Sequence, residues 1–405
     1  MTDAEVDALP VDGGPSDLAL APDAADRDGA APAEDASADF AMGDLGPRAD
    51  AVVIDSAIDS PGAEPDAAID AALDTPGESF VGGVPVALAG EITRAGPVRL
   101  EWLDDERVLW SERTAHVTRV DGANLLTLAP SSPSPFPSAV AATSERSLIA
   151  FSLQDTSVNR LHRPELTLVD GALTPTTRRL DELPRMTELF AVFAGDAFGI
   201  WGTNDGRPQF FELDELASSV SLREPPFASF GRTESLAVVW HGGSYCVAYH
   251  RLSGPRTVNL TCTNRSGEIV RGPVAFEETF SGHLPDVASD GNDLYIVQGD
   301  GDFEMLLHRI DDEGGVRTRA LPDGRPRPVV RSVALALNDI AAYVATIDAG
   351  GQARLHSFDR TTLELLETLD VGEAINLDIA VRGNAVAVVY GDDDGRAWLR
   401  VWRRR

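Results

Sequence analysis

Five acidic side chains occupy the same place in a repeating motif of this sequence. Each stands at the start of a short apolar stretch, which is followed by a turn and a second apolar stretch. The five are Glu101 in RLEWL, Glu188 in MTELFAV, Glu234 in TESLAVV, Asp286 in LPDVAS and Asp378 in NLDIAV. Carboxylates that a repeat brings together repel one another, so they either take up a cation or cationic group or accept hydrogen bonds from backbone N–H groups. The sequence allows both interpretations.

Two loops concentrate aspartate and glycine. One is GDGD, with Asp300 and Asp302, and the other is GDDDG, with Asp392, Asp393 and Asp394. They superficially resemble calcium loops of the D-x-D-x-D-G type, but neither continues to the later acidic ligand of that motif. Aspartate and glycine are also the residues that tight hairpin turns require. Calcium is the cofactor that these loops suggest, and turn formation is the alternative.

The two cysteines of the chain are predicted to form a disulfide. Cys246 and Cys262 flank a turn at Ser253-Gly254-Pro255. If the hairpin is centred on Gly254, the cysteines lie directly opposite each other, at a Cα separation of roughly 4.5–5.5 Å that a disulfide can bridge. The alternative is a pair of reduced cysteines packed in the sheet. A disulfide favours an oxidising compartment.

Other catalytic chemistry finds little support. All 34 basic residues are arginine, which excludes a Schiff-base lysine and the lysine of a phosphate-binding loop. There is no G-x-S-x-G elbow, although a Ser-His-Asp triad needs no proximity in sequence. The seven histidines are scattered; His308 and His356 share one place in adjacent repeats, where we expect them to face solvent. We therefore expect a protein without enzymatic activity.

The elements that position these residues recur with a long period. The first apolar residue after the first turn of each repeat gives seven anchors, which are Val108, Leu148, Phe198, Tyr245, Leu294, Ile340 and Val386. A period of about 40 to 50 residues with four short strands is the signature of a β-propeller blade. The sequence thus predicts an all-β, seven-bladed propeller, with six or eight blades as alternatives. Because innermost strands line the central channel of a propeller, the five acids are expected to form a ring at one channel mouth.

Strand counting also predicts how the ring closes. The last repeat has no outer strand, whereas residues 84–93 form a strand without a blade of its own. Pairing the two removes an exposed sheet edge. We therefore assign residues 79–405 to the propeller, closed by strand 84–93 on the C-terminal blade.

Residues 1–78 differ in composition from the rest. They consist largely of Asp, Ala, Pro, Gly and Ser, with 20 acidic residues against Arg27 and Arg48. Such a segment cannot bury enough apolar surface to offset its ordering entropy. We predict a disordered acidic tail, similar in composition to the linkers of bacterial surface lipoproteins.

The repeats resemble the degenerate propeller repeats of secreted and surface-attached bacterial proteins, with units of a short strand, a DGN turn and an apolar strand. The formal net charge of −31 disfavours nucleic acid as a partner. No apolar run reaches the roughly 18 residues of a membrane span, and the N-terminus lacks the features of a signal peptide. We expect an extracellular, cell-surface or periplasmic location, with the cytoplasm as the alternative.

Three functions are compatible with these features. We favour a monomeric, non-catalytic propeller, displayed on the cell surface or secreted, that binds a protein or glycan ligand on its loop face. The second candidate is a carbohydrate-active hydrolase or lyase that uses a pair of carboxylates at the channel mouth. The third is an intracellular assembly scaffold.

Overall fold

The computed structural model describes residues 80–405 apart from 95, 132–137, 144, 156–160, 181–184, 205–206, 215–219, 224–232, 252–256, 279–284, 300–303 and 324–332. Every regular element of this part of the chain is a β-strand. The predicted tail, residues 1–78, lies outside the described residues.

The strands form seven blades around a central channel. Blade 1 contains β3 (Arg99–Trp102), β4 (Arg107–Ser111), β5 (Ala115–Arg119) and β6 (Asn124–Leu128), and blade 2 contains β7 (Ala139–Ala142), β8 (Arg146–Asp155), β9 (Leu161–Asp170) and β10 (Pro175–Arg179). Blade 3 contains β11 (Thr187–Phe193), β12 (Ala197–Asn204), β13 (Arg207–Asp214) and β14 (Val220–Arg223). Blade 4 contains β15 (Thr233–His241), β16 (Ser244–Arg251), β17 (Thr257–Asn264) and β18 (Ile269–Glu278). Blade 5 contains β19 (Asp286–Ser289), β20 (Leu294–Gly299), β21 (Met305–Ile310) and β22 (Val316–Ala320). Blade 6 contains β23 (Val333–Leu337), β24 (Ala341–Ile347), β25 (Gln352–Asp359) and β26 (Leu365–Glu373). Blade 7 contains β27 (Asn376–Arg382), β28 (Ala385–Gly391) and β29 (Arg396–Arg404), with β1 (Phe80–Gly82) and β2 (Val86–Glu91).

Each blade is an antiparallel sheet; its strands follow chain order from the channel outward in blades 1 to 6, and in blade 7 β1 and β2 lie outside β29. This arrangement confirms the predicted seven-bladed propeller. Six of the seven sequence anchors lie on the second strand of their blade, and Ile340 directly precedes β24. The repeat period therefore located the second strand of every blade.

Blade 7 is completed from both ends of the propeller. Its third strand, β29, pairs with β1 through Phe80–Arg404 and with β2 through Val86–Leu399. The backbone N–H of Gly83 also donates to the carbonyl of Val401, at 2.9 Å. The outer edge of β29 is thus covered by residues that precede blade 1 in sequence.

The two faces of the ring differ in how they connect strands. On one, the turn face, short turns join the first to the second strand and the third to the fourth, as at 383–384 and 312–315. On the other, the connection face, the second strand leads to the third and each blade leads to the next, through segments such as 129–138 and 321–332. Several of these longer segments include residues outside the described part of the chain.

Burial follows position within the blade. The second strands β24 (AAYVATI) and β28 (AVAVVYG) are buried at every residue, because both of their faces pack against neighbouring blades. The outermost strands β10 (PTTRR) and β22 (VRTRA) are exposed at every residue. The apolar core therefore forms a ring between successive blades, and the strands that line the channel lie at its inner boundary.

The predicted disulfide is present. Cys246 of β16 and Cys262 of β17 are directly paired, with a Cα separation of 4.0 Å, and a disulfide joins them. Both side chains are buried, so the bond lies within the sheet of blade 4.

Candidate ligand site in the central channel

All five acidic residues of the repeat lie on innermost strands. The assignments are Glu101 on β3, Glu188 on β11, Glu234 on β15, Asp286 on β19 and Asp378 on β27. The side chains of Glu188 and Glu234 lie outside the described part of the structure, so their part in the expected ring stays a prediction. Blades 2 and 6 have no acid on their innermost strands, whose sequences are AVAA and VALAL.

Two of these acids join neighbouring blades. Asp378 of blade 7 accepts a 2.8 Å hydrogen bond at Oδ2 from the backbone N–H of Leu100 in blade 1. Asp286 of blade 5 accepts an equal bond from Leu335 of blade 6, and a further one from its own neighbour Val287 at 3.1 Å. Leu100 and Leu335 occupy innermost strands, which have no strand partner on the channel side. The aspartates therefore satisfy N–H groups that the end of a sheet leaves unpaired.

Glu101 occupies the same kind of position in blade 1 without such a bond. No side chain or backbone group of the described residues donates a hydrogen bond to it. Burial raises the pKa of Glu101 to about 8, and the negative charges of Asp378 and Asp286 add to the increase. Burial and the charge of Asp378 likewise raise the pKa of Asp286 well above its usual range, although the N–H groups of Leu335 and Val287 oppose the shift. Three carboxyl groups therefore influence one another in this part of the channel.

A cavity of about 280 Å³ borders Glu101. Its walls are the C-terminal parts of β3, β23 and β27, which lead to the turn face. Trp102 connects blades 1 and 7, because its indole N–H donates a hydrogen bond to the carbonyl of Ala380 at 3.0 Å. The cavity is thus a pocket in the wall of the channel, on the side of blades 6, 7 and 1.

Arg99 is a cation of this region that the acidic pattern did not predict. It is buried on β3, and its guanidinium carbon lies 4.3 Å from the ring centre of Phe190 on β11. This cation–π contact connects blades 1 and 3 past the small side chains of β7. The signal available in the sequence was its place two residues before Glu101, on the same side of the strand.

The aspartate-rich loop of blade 7 is held together by its own contacts. Asp392 accepts hydrogen bonds from the backbone N–H groups of Asp394 and Arg396 and from the indole of Trp398. Asp393 pairs with Arg94 at 3.1 Å, and Asp394 pairs with Arg396 at 3.3 Å. Asp300 and Asp302 lie outside the described residues. Among those described, no group of three or more His, Cys, Asp or Glu side chains is arranged to hold a metal ion, and the calcium hypothesis stays a prediction.

The expectation of solvent-facing histidines is wrong. His308 and His356 are buried, and His116 occupies the same third-strand position in blade 1, which sequence comparison missed. Each imidazole Nδ1 lies within hydrogen-bonding distance of a threonine hydroxyl on the outermost strand, in the pairs His116–Thr127 (3.3 Å), His308–Thr318 (2.8 Å) and His356–Thr368 (2.9 Å). Burial lowers the pKa of His308 to about 4. These histidines bridge strands of one blade.

His356 also belongs to the described arrangement most similar to a catalytic triad. Its Nε2 lies 2.6 Å from Oδ2 of Asp323 and 3.2 Å from Oγ1 of Thr346, while Nδ1 faces Thr368. A working triad needs the acid and the nucleophile on opposite ring nitrogens. Burial raises the pKa of Asp323, but hydrogen bonds from His356, Thr346 and Arg354 outweigh it and lower that pKa to about 2. The network is a buried structural one.

Comparisons with known proteins define the class of this chain by fold. No protein-family model matches it, and no curated protein matches its sequence. Many solved chains share the architecture. One is the β-propeller domain of Cps50 (Swd1) from Myceliophteria thermophila, which is 11% identical, with a TM-score of 0.52 over 80% of this chain and 100% of that one. Similarity at this identity shows a shared propeller fold.

The comparisons therefore place this chain among β-propellers by fold. No helix long and apolar enough to cross a membrane occurs among the residues described.

Proposed function

We propose that this chain is a non-catalytic binding protein, secreted or displayed at a bacterial cell surface, that holds a protein or glycan ligand on its connection face. The observation that carries the proposal is the contrast between the two faces. On the turn face two residues, 383–384, join β27 to β28, whereas ten residues separate β6 from β7 and twelve separate β22 from β23 between successive blades. Long connections held by a rigid scaffold are where binding residues concentrate.

The scaffold is well suited to hold such connections in place. Seven sheets pack around the ring through a continuous apolar core, and β1 and β2 cover the outer edge of the last one. Because each segment between blades starts at an exposed outermost strand, its length and sequence can vary without cost to the core. Binding specificity would then reside in the segments between blades.

Export is supported by the Cys246–Cys262 disulfide, because such bonds persist in oxidising compartments. The net charge of −31 is compatible with solubility outside the cell. Protein purified without reductant, then denatured, should therefore contain no titratable thiol. Two titratable thiols would favour the intracellular scaffold instead.

A carbohydrate-active enzyme remains the second candidate because of Glu101. A carboxyl group with a raised pKa is what a general acid requires, and Asp378 is the nearest candidate for its partner. However, Asp378 already accepts the N–H of Leu100, so its carboxylate is engaged in joining blades 7 and 1. These contacts favour binding over turnover.

Two exposed ion pairs offer a matched test of the connection face. Arg94–Asp393 lies on the connection face and Arg382–Asp105 lies on the turn face, at 3.1 and 2.8 Å. Exposed pairs of this kind contribute at most about 1 kcal/mol, so Arg94→Glu and Arg382→Glu should fold equally well. The purified variants would be applied to arrays of immobilised glycans and of peptides.

We expect the unmodified protein to bind a subset of the arrays and Arg94→Glu to weaken that binding, while Arg382→Glu leaves it unchanged. Equal loss in both variants, or loss only in Arg382→Glu, would contradict a ligand on the connection face. Release of sugar from the glycan array would establish the enzymatic alternative. Absence of signal on both arrays would rule against a glycan or peptide ligand.

A further inference from the structure

The cavity beside Glu101 has the size of a site for a small ligand. At about 280 Å³, it falls just under the roughly 300–1,000 Å³ of typical small-molecule pockets. It is separate from the connection face, because the lining residues of β23 and β27 are those nearest the turn face. A ligand here would occupy the channel wall without contacting the segments between blades.

The walls of this cavity combine apolar and polar surface. Leu335, Leu337 and Ile379 are among the lining residues, and Leu335 and Ile379 also pack in the apolar cores between blades. The three wall strands β3, β23 and β27 each end a sheet, so their channel-side N–H and C=O groups have no strand partner. Carbonyl oxygens at such an edge can accept hydrogen bonds from a ligand that brings donors.

The charges around the cavity indicate which kind of hydrogen-bond donor a ligand would bring. Glu101 and Arg382 are the two charged side chains of the wall, and Arg382 donates to Asp105 at 2.8 Å on the turn face. Glu101 receives no hydrogen bond from any described group, and Asp378 and Asp286 add negative potential around it. Arg99 precedes it on β3, but its guanidinium lies on the ring of Phe190. The unmet requirement of the cavity is therefore a cation with several hydrogen-bond donors.

A bound metal ion fits this requirement poorly. Divalent ions need several oxygen ligands, and the described residues contain no group of three acidic or imidazole side chains placed for one. A primary ammonium group has one charge and three N–H donors, so one carboxylate and two backbone carbonyls can satisfy it. We propose that this cavity binds a small primary amine with a short alkyl body, with Glu101 as its counter-ion.

The test uses n-butylammonium chloride as the probe and the full chain as the protein. At 50 mM probe, against sodium chloride of equal ionic strength, we expect the melting temperature to rise by about 3 °C for a dissociation constant of about 1 mM. Glu101→Gln should weaken binding at least tenfold. Glu106→Gln, the same change at an exposed acid of the adjoining turn, should bind as the unmodified protein does.

Proton release provides a second readout. Because Glu101 holds a proton at neutral pH, binding of the ammonium ion should expel it, and calorimetry in buffers of different ionisation enthalpy should detect the release. Affinity should increase as the pH rises toward 8. Equal binding to the Glu101→Gln and Glu106→Gln variants, an equal shift with n-butanol, or no shift at all would overturn the proposal. A shift produced by calcium but not by the amine, and lost in Glu101→Gln, would replace it with a metal site.

Discussion

Two sets of buried or half-buried titratable side chains recur in this propeller, one beside the channel and one near the outer rim. Beside the channel, Asp286 and Asp378 accept backbone N–H groups of the next blade. Near the rim, His116, His308 and His356 face threonines of their own blade. The inner set joins blades and places like charges close together, whereas the outer set joins strands of one blade. Burial raises the pKa of Glu101 and Asp286 beside the channel and lowers the pKa of His116 and His308 near the rim.

The strongest test of bonds within a blade is removal of the strands that complete blade 7. Deleting residues 1–91 removes β1 and β2, exposes the edge of β29 and strips Phe80 from its edge-to-face contact with Tyr343. We expect the melting temperature to fall by more than about 10 °C, if the variant folds at all. Deleting residues 1–78 is the control and should change it by no more than a few degrees, because that segment is too polar to contribute a core. Similar behaviour of the two deletions would contradict the closure of the ring through β29.

The next largest effect concerns a bond between blades. Asp378→Ala leaves the buried N–H of Leu100 without its partner, which should cost about 3 kcal/mol of unfolding free energy. Asp378→Asn retains a carbonyl acceptor and removes the charge, so it should cost less than about 1 kcal/mol. Urea denaturation of both variants separates the hydrogen bond from the charge. If the two substitutions were equally destabilising, the carboxylate charge would be what holds blades 7 and 1 together.

Much of this architecture can be predicted from the sequence. The hydrogen-bond partners of the channel acids cannot. The period of the anchors locates every blade because each second strand is an apolar run buried on both faces. In contrast, Asp378 and Leu100 are 278 residues apart, and only ring closure brings them together. His308 was expected at the surface because alternation suggests one solvated face, whereas blades pack on both sides. The sequence therefore predicts the scaffold better than it predicts which carboxyl group lacks a partner.

The pH dependence of stability at Glu101 tests whether the carboxylates beside the channel repel one another. Its pKa is about 8 in the folded protein, above the unfolded value near 4.5. The folded state therefore binds the proton more tightly, and the stability this provides is present below pH 4.5 and is lost as the pH rises to about 8. Glu101→Gln should match the unmodified protein at pH 4 and exceed it by at least about 2 kcal/mol at pH 9, because solvent screens part of the full effect. A constant difference across this range would mean that Glu101 titrates normally.

His308 should show the opposite dependence on pH. Its folded pKa of about 4 lies below the unfolded value of 6.5, so the unfolded state binds the proton first. Stability is full above pH 6.5 and is lost as the pH falls toward 4, by about 1–2 kcal/mol between pH 7 and pH 5. His308→Gln, which does not titrate, should lose less over the same interval. Parallel pH profiles of the two proteins would contradict a neutral buried imidazole.

The smallest expected effects come from the threonines that face the outer histidines. Thr318→Val and Thr127→Val each remove a hydroxyl partner at nearly constant volume, and each should cost about 0.5–1 kcal/mol. The two threonines lie in blades 5 and 1 and share no partner, so the double variant should cost the sum of the two single effects within about 0.5 kcal/mol.

The acids beside the channel should behave differently. At pH 9, where Glu101 is ionised, Glu101→Gln removes a charge that Asp286 repels, so its effect should shrink when combined with Asp286→Asn. If the stability effects add for the threonines but not for the channel acids, only the inner positions couple the blades electrostatically. If the effects add in both places, the channel acids act as independent hydrogen-bond acceptors.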